Sequence, residues 1–437
     1  MPFGPFKFKG GIHPPDSKDA TKDKAIVSAK IPSRLTVPLF QHIGYSCTSA
    51  VHVGQEVKKG QIIGTAGGFV SAPVHAPVSG KITGICEVPH PAGMMVQAMV
   101  IENDYKETWI ELTETPDYSL LTAAQLRERI LGAGIVGMGG ATFPTHVKLS
   151  PPKEKKIDTV IINGVECEPY LTADYRLMLE KAVEIIVGSK IIMKALDVSK
   201  GYIGIEANKQ DAVEIMKKAL ENDPGLSVHS LKVKYPQGAE KMLIKALVNR
   251  EVPPRGLPMD VGVVVQNVAT AAAVYDAVRF GRPLIERVVT VTGDAVKEPK
   301  NVLARIGSTV ADVIDECGGF SQEPGKIIMG GPMMGIALFS TSAPITKGTS
   351  GIIVLSKQTV LHSEEFGPCI KCGRCIDVCP MGLVPSMLGV FGEKGFYDEA
   401  KEYKVHDCFE CGSCTYVCPS KRPIVQFIKL AKSLVKP

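Results

Sequence analysis

Eight cysteines near the end of the chain are spaced for iron–sulfur chemistry. Cys369, Cys372, Cys375 and Cys379 form a C-x2-C-x2-C-x3-C run closed by Pro380, and the run recurs as Cys408, Cys411, Cys414 and Cys418 closed by Pro419. In this spacing the first three thiolates wrap one four-iron, four-sulfur cubane and the fourth turns to ligate the other. The pattern therefore assigns Cys369, Cys372, Cys375 and Cys418 to one cluster, and Cys408, Cys411, Cys414 and Cys379 to a second. Four thiolates also suit a structural zinc ion, but two full copies with the terminal proline favour clusters. Of the 12 cysteines, the other four, Cys47, Cys86, Cys167 and Cys317, are scattered and read as buried free thiols.

A second candidate site is the glycine-rich stretch 132–144, GAGIVGMGGATFP, which contains a literal G-x-G-x-x-G. A dinucleotide fingerprint follows a strand and opens a helix. This one follows a helical segment and leads towards a strand, so the ordinary Rossmann reading is rejected. What remains is a run of glycines, Gly137, Gly139 and Gly140, whose bare backbone lets a flat or phosphorylated ligand approach closely. Phe143 then offers a stacking surface and Lys148 a phosphate partner. A plain glycine-rich connector is the alternative.

The elements that must position these groups change character along the chain. Residues 31–102 carry short Val, Ile and Gly runs broken by turn signals, which predicts strands without helices in a sandwich or barrel. The segments 51–67 and 72–85 resemble the halves of a biotinyl/lipoyl-type barrel-sandwich domain. The hairpin tip GGFVSAPVHAP lacks the lysine that such carriers modify, so the domain reads as a scaffold and His75 as a packed or solvated side chain. From 122 onwards strands alternate with helices: helix 122–131 capped by Thr122, strand 157–164, helix 175–197, strand 201–208, helix 209–222 and strand 226–234. Residues 286–320 open with an alternating strand, end in a short helix, and resemble a ligand-binding β-grasp (SLBB) domain. The stretch 383–403 between the cysteine motifs reads as helical, which predicts a helical two-cluster ferredoxin module.

The expected organisation is thus a multidomain α/β plus β chain. It comprises an N-terminal segment (1–30), a barrel-sandwich hybrid (31–105), a Rossmann-like α/β domain (116–285), a β-grasp domain (286–345) and a helical ferredoxin domain (355–437). Bulk properties agree with ordinary globular material: 437 residues, 45% hydrophobic, 22% charged, formal charge +5. The basic residues lie among acidic ones, which gives nucleic-acid binding no support. No run is long and apolar enough to span a bilayer, and the first residues lack the pattern of a signal peptide, so a cytoplasmic protein is expected.

Four segments, GMGGATFPTHVK (137–148), NGVECEPYLTADYRLM (163–178), YPQGAEKMLIKAL (235–247) and QNVATAAAV (266–274), resemble in order the flavin-binding segments of the NADH-oxidising subunit of respiratory complex I. The added barrel-sandwich domain and second cluster motif make the whole arrangement similar to the RnfC family, found in the membrane-bound ferredoxin:NAD+ oxidoreductases of the Rnf type. The resemblance implies a non-covalent FMN near Gly137, Gly139, Gly140, Lys148, Asn163, Glu166, Tyr235, Gly238, Glu240, Gln266, Asn267 and Thr270. It implies NAD(H) as substrate near Phe143 and Glu168, with catalytic roles for those two. It also implies a peripheral position on the cytoplasmic face of the membrane, beside a ferredoxin-like iron–sulfur subunit and integral membrane subunits. Val165 and Ala239 stand where the complex I motif has acids, so the hydrogen bonds of those acids are absent or supplied elsewhere.

Electron counting orders the cofactors. Clusters pass single electrons, nicotinamide exchanges a hydride, and flavin does both, which puts FMN between clusters and nucleotide. Two other readings stay open: a soluble cobalamin reductase of propanediol-utilising microcompartments, which resembles this domain order, and a relay subunit that binds neither flavin nor nucleotide. The basic, partly amphipathic stretch 423–437 is an ordinary terminal helix or a docking element.

Overall fold

The computed structural model describes residues 6–90, 93–221, 223–360 and 365–436. In the first region, alternating residues along Gly80–Pro89 and Met95–Asn103 give each strand one buried face, and the two pair antiparallel. Arg34–Pro38 and Glu56–Val57 complete a four-stranded sheet, which faces a three-stranded sheet of Thr48–Ser49, Ile62–Thr65 and Val74–His75. Leu35, Val37, Ile63, Val74, Ile82 and Ile101 are buried in the core. Among the described residues of 31–102 there is no helix, as expected. The tip between Ile62–Thr65 and Val74–His75 leans on the next domain, where the His146 ring nitrogen Nε2 donates to the Phe69 carbonyl at 3.1 Å. His75 is buried and packed, and burial pushes its imidazole down to about 3.

The second region is a wholly parallel four-stranded sheet in the order Leu226–Leu231, Gly201–Glu206, Thr159–Gly164, Val263–Asn267. Thr159–Gly164 and Val263–Asn267 are near-continuous apolar runs because both faces are covered there, whereas Leu226–Leu231 at the edge is half-buried. The helix Ala123–Gly132 starts at a full capping box, Thr122 with Gln125. The single helix expected over 175–197 is two helices, Ala173–Glu180 and Ala182–Leu196, broken at Lys181. The second half packs backbone to backbone on Val268–Phe280, where a Cβ on Gly188 would stand 1.8 Å from the Ala271 carbonyl oxygen. The first half also touches Val268–Phe280 and adds the strand Glu286–Thr292 of the next domain. Continuous helical periodicity hides this added partner.

The β-grasp sheet has six strands in the order Ile26–Ser28, Lys300–Arg305, Glu286–Thr292, Gly351–Ser356, Pro324–Met329, Ile336–Leu338. Two members lie outside the span expected for it. Ile26–Ser28 comes from the N-terminal segment and pairs parallel to Lys300–Arg305, and Gly351–Ser356 sits centrally, beyond residue 345. The helix Val310–Glu316 is closed by a second capping box, Thr309 with Asp312. The last region is helical: Arg374–Asp377, Pro385–Lys394, Tyr397–Glu402, Ser413–Tyr416 and Ile424–Leu434. Ile424–Leu434 buries Ile424, Val425, Ile428 and Ala431 and packs on Pro385–Lys394, so its apolar face is used within the chain.

Candidate functional site

In an open parallel sheet, ligands settle beyond the carboxyl ends of the strands where the strand order reverses. Here that point lies between Thr159–Gly164 and Val263–Asn267, and Asn163 and Asn267 are register partners at the two strand ends. Asn267 caps the helix Val268–Phe280, its side-chain oxygen accepting from Ala269 N at 2.8 Å, so the positive end of a thirteen-residue helix opens into the crevice. Asn163 Nδ2 donates to the Gly238 carbonyl at 2.9 Å and its Oδ1 accepts from Val165 N at 2.9 Å, which ties two loops to one strand end. The capping and turn duties of both asparagines are therefore real, and they also shape the crevice.

The glycine loop closes over this point. Gly137 N donates to the Phe143 carbonyl at 2.9 Å, and Met138 N donates to Thr270 Oγ1, also at 2.9 Å. A Cβ on Gly139 would stand 3.2 Å from Asn267 Cβ, whereas at Gly140, with φ +119°, no atom lies within 4 Å. The loop continues into the single turn Thr145–Lys148 rather than directly into a strand. Lys148 Nζ donates to Glu240 Oε1 at 2.5 Å and to the Val265 carbonyl at 3.1 Å. Gln266 Nε2 and Glu166 Oε2 are buried without a hydrogen-bond partner. Bare glycine backbone, a helix N-terminus and two orphaned polar atoms, one donor and one acceptor, fit a flat ligand carrying a phosphate.

Phe143 is half-buried on this loop. Glu168 is committed elsewhere: its two carboxylate oxygens accept from Met333 N at 3.0 Å and Met334 N at 2.9 Å, on the β-grasp loop. Burial pushes its carboxyl up to about 7 against those two amides. Tyr235 is almost wholly buried, and burial pushes its phenol up, as does the neighbouring Glu168. Three participants carried no signal in the sequence. Asp174 Oδ2 accepts from Asn267 Nδ2 at 2.6 Å, and its main-chain N donates to Glu166 Oε1 at 2.8 Å. Lys18 reaches the same carboxylate from the N-terminal segment. Cys167, expected only as a buried thiol, accepts from Gly238 N at 3.3 Å and packs with Tyr235 and Cys411.

The two cysteine motifs have matching backbones. Lys371 and Gly373 in the first, Glu410 and Gly412 in the second, all take positive φ, and each run then enters a single helical turn, Arg374–Asp377 or Ser413–Tyr416. That double left-handed kink bends the backbone the same way in both motifs. Cys379 belongs to the first motif, yet it lies close enough to Cys408, Cys411 and Cys414 for its charge to push each of their thiols up. Burial is the larger cause for all three and raises Cys408 to about 11. Four thiolates at such a place call for a cationic core, which iron would supply. Among the described residues, no three His, Cys, Asp or Glu converge as they would on one metal ion. Thiolates on the separate irons of a cubane stand further apart than ligands of a single ion. Cys369 and Cys372 are exposed, while Cys411 and Cys414 are buried. The two candidate sites meet at one bond: the Tyr235 phenol donates to the Cys411 carbonyl at 2.7 Å.

The chain matches four known families in succession: the RnfC barrel sandwich hybrid domain over residues 6–106, the Nuo51 FMN-binding domain over 130–276, the SLBB domain over 288–337 and the 4Fe-4S dicluster domain over 368–421. It is 54% identical to the C subunit of the proton-translocating ferredoxin:NAD(+) oxidoreductase complex of Clostridium ljungdahlii, covering 98% of this chain and 93% of that one. Identity is 49% to the Na(+)-translocating counterpart of Acetobacterium woodii, covering 97% and 96%. It is 41% to the C subunit of the ion-translocating oxidoreductase complex of Rhodobacter capsulatus, covering 99% and 83%. Among solved structures, an NAD+-reducing NiFe-hydrogenase in its H2-reduced state shares the fold with a TM-score of 0.53 and 17% identity, over 74% of this chain and 65% of that one.

Proposed function

The chain belongs to the RnfC family, the C subunits of ion-translocating ferredoxin:NAD(+) oxidoreductase complexes, and from that membership we propose that it carries electrons between NAD(H), a non-covalent FMN and two four-iron clusters within such a membrane-bound complex. The observation that supports this most directly is the Tyr235–Cys411 hydrogen bond, which joins the flavin crevice to one cysteine motif without an intervening element. When bound, FMN supplies the exchange between a two-electron hydride and single electrons.

The chain's own residues supply the positions. Gly137, Gly139 and Gly140 admit the ligand, Asn163, Glu166, Gln266, Asn267 and Thr270 line the strand ends, and the N-terminus of Val268–Phe280 favours its phosphate. Lys148 and Glu240 form one pair at the rim, and Gly238 and Tyr235 close the side towards the clusters. Phe143 and Glu168 are the proposed neighbours of the nicotinamide nucleotide. The proposed ligand sets are Cys408, Cys411, Cys414 and Cys379 for the flavin-side cluster, and Cys369, Cys372, Cys375 and Cys418 for the outer one. The exposure of Cys369 and Cys372 supports electron exchange with a ferredoxin-like partner at the outer cluster.

No helix among the described residues is long and apolar enough to cross a membrane. Attachment at the cytoplasmic face through integral partner subunits is part of the proposal, and the similarity to the C subunits of ion-translocating complexes favours it over a soluble reductase. The test is anaerobic mixing of the FMN-loaded protein with NADH, following flavin and cluster absorbance together. Flavin bleaching followed by cluster reduction is expected, and Phe143→Ala should slow the first step while leaving the clusters visible. If the unaltered protein reduces no acceptor with NADH, the enzymatic reading fails and a relay role remains.

A further inference from the structure

The segment from Phe8 to Lys24 is a strap that touches both electron-carrying sites. Ile12 N donates to the Tyr235 carbonyl at 2.8 Å and Tyr235 N returns the bond at 2.9 Å, while Gly11 N donates to the Val378 carbonyl at 2.8 Å. Gly10 lies so near the ferredoxin module that a Cβ there would stand 2.8 Å from the Cys379 carbonyl. The strap then delivers Lys18 into the flavin domain. Its ammonium is only 5% exposed, donates to the Glu166 carbonyl at 2.8 Å and to the Leu171 carbonyl, and stands 3.6 Å from Glu166 Oε2.

Lys18 sits in a buried cluster of acids and bases. Glu166, Glu168, Asp174 and Glu206 are the acids, and Lys18, Lys209 and Arg287 the bases; Lys209 pairs with Glu206 at 2.7 Å, Arg287 faces Asp174, and the Cys167 thiol lies alongside. Glu206, Lys209 and Arg287 are nearly inaccessible to solvent. Glu166 is the member with a vacancy, because Oε1 accepts from Asp174 N while Oε2 has no hydrogen-bond partner. A buried charge needs a counter-charge, and a buried acceptor needs a donor. Lys18 meets the first need at a distance that leaves the second open. A flavin ring and its ribityl chain carry N–H and O–H donors of the required kind.

We propose that Lys18 is a positioning residue of the cofactor site: its ammonium, 3.6 Å from Glu166 Oε2, is the counter-charge that anchors this carboxylate with its free oxygen held available to the flavin. This rests on the FMN reading above. Without the ammonium, Glu166 and Asp174 lose a shared cation, and the Glu166 side chain loses the partner that fixes its direction. Its free oxygen can then swing away from the cofactor.

The experiment compares Lys18→Gln, which keeps a donor for the two carbonyls but not the charge, with Lys18→Arg, Glu166→Gln and the double variant Lys18→Gln/Glu166→Gln. Intact cluster absorbance is required of each; Lys18→Met replaces Lys18→Gln should that variant lose its clusters. FMN titrated into FMN-depleted protein should bind about tenfold more weakly in Lys18→Gln, nearly normally in Lys18→Arg, and within about twofold of Glu166→Gln in the double variant, because the two side chains act as one unit. In urea unfolding of the FMN-depleted protein, the stability lost through Lys18→Gln should be smaller in the Glu166→Gln background than in the parent. Equal losses in both backgrounds, in binding or in unfolding, overturn the role of Lys18. If the unaltered protein binds no FMN, the cofactor reading fails separately, while the unfolding comparison still decides whether Lys18 anchors Glu166.

Discussion

The phenol of Tyr235 donates a 2.7 Å hydrogen bond to the main-chain carbonyl of Cys411, and the strap residue Ile12 packs against both. A residue of the flavin loop therefore touches the backbone of a proposed cluster ligand directly. On the function proposed above, this contact puts the second cysteine motif on the flavin side. The first motif, with Cys369 and Cys372 exposed, faces outwards.

Tyr235→Phe keeps the ring and removes the hydroxyl, leaving the Cys411 carbonyl short of a donor at a cost of about 1–2 kcal/mol. NADH-dependent reduction of ferricyanide should fall less than cluster reduction, since that reaction stops at the flavin. Reduction of the clusters by NADH should slow several-fold as the junction loosens. Stopped-flow absorbance separates the two, and equal rates in both reactions for variant and parent would show that the contact does not serve transfer.

Cys379→Ser tests the crossed ligation. The residue lies in the first motif, but its neighbours among the thiols are Cys408, Cys411 and Cys414. Iron should fall from about eight to between four and seven per chain, according to whether the second cluster is lost or stays as a three-iron remnant. Paramagnetic resonance should show the cluster of Cys369, Cys372 and Cys375 intact. Damage confined to that first cluster instead would reverse the assignment.

Gly139→Val puts a branched side chain where a single Cβ already comes within 3.2 Å of Asn267 Cβ. The strand end or the loop must give way, and the space left for a flat ligand shrinks. FMN affinity should drop at least about tenfold, a difference of 1.4 kcal/mol or more, with the cluster spectrum preserved. Full flavin occupancy in the variant would reduce the glycine loop to a connector.

Much of this was legible from residue types. The cysteine spacing announces its chemistry, and the lysine-free hairpin tip, the strand–helix alternation and the capping box at Thr122 all appear where local pattern predicts them. What escaped depends on contacts distant in sequence. Lys18 looks like any surface lysine until the strap folds it onto Glu166, 148 positions away. Ile26–Ser28 is too short to announce itself and exists because Lys300–Arg305 offers an edge. The break at Lys181 has no proline or glycine to mark it; the first half packs on Glu286–Thr292 as well as on the helices that it shares with the second half. Asp174, in the loop-to-helix turn after Glu166, carries no motif meaning without Asn267 opposite it.

Glu168→Gln should change how stability depends on pH. Burial holds the folded-state carboxyl of Glu168 near 7 against an ordinary 4.5, although the Met333 and Met334 amides pull the other way. Between those values the folded chain keeps a proton that the unfolded chain has released. The slope of stability with pH has the sign of protons bound unfolded minus folded, so Glu168 weakens the fold as pH rises from about 4.5 to 7 and no further above that. The loss amounts to something on the order of 2 kcal/mol once partial solvent access is allowed for. Glutamine does not titrate, and it keeps one acceptor for the β-grasp loop. Asp174 and every other titrating group are common to both proteins and largely cancel. Relative to the parent, Glu168→Gln should therefore gain stability between pH 5.5 and pH 8, whatever its absolute deficit at either value. Urea unfolding followed by intrinsic fluorescence at the two pH values measures that difference. Parallel profiles would mean that Glu168 is already ionised in the folded protein at pH 5.5, with the Met333 and Met334 amides outweighing its burial.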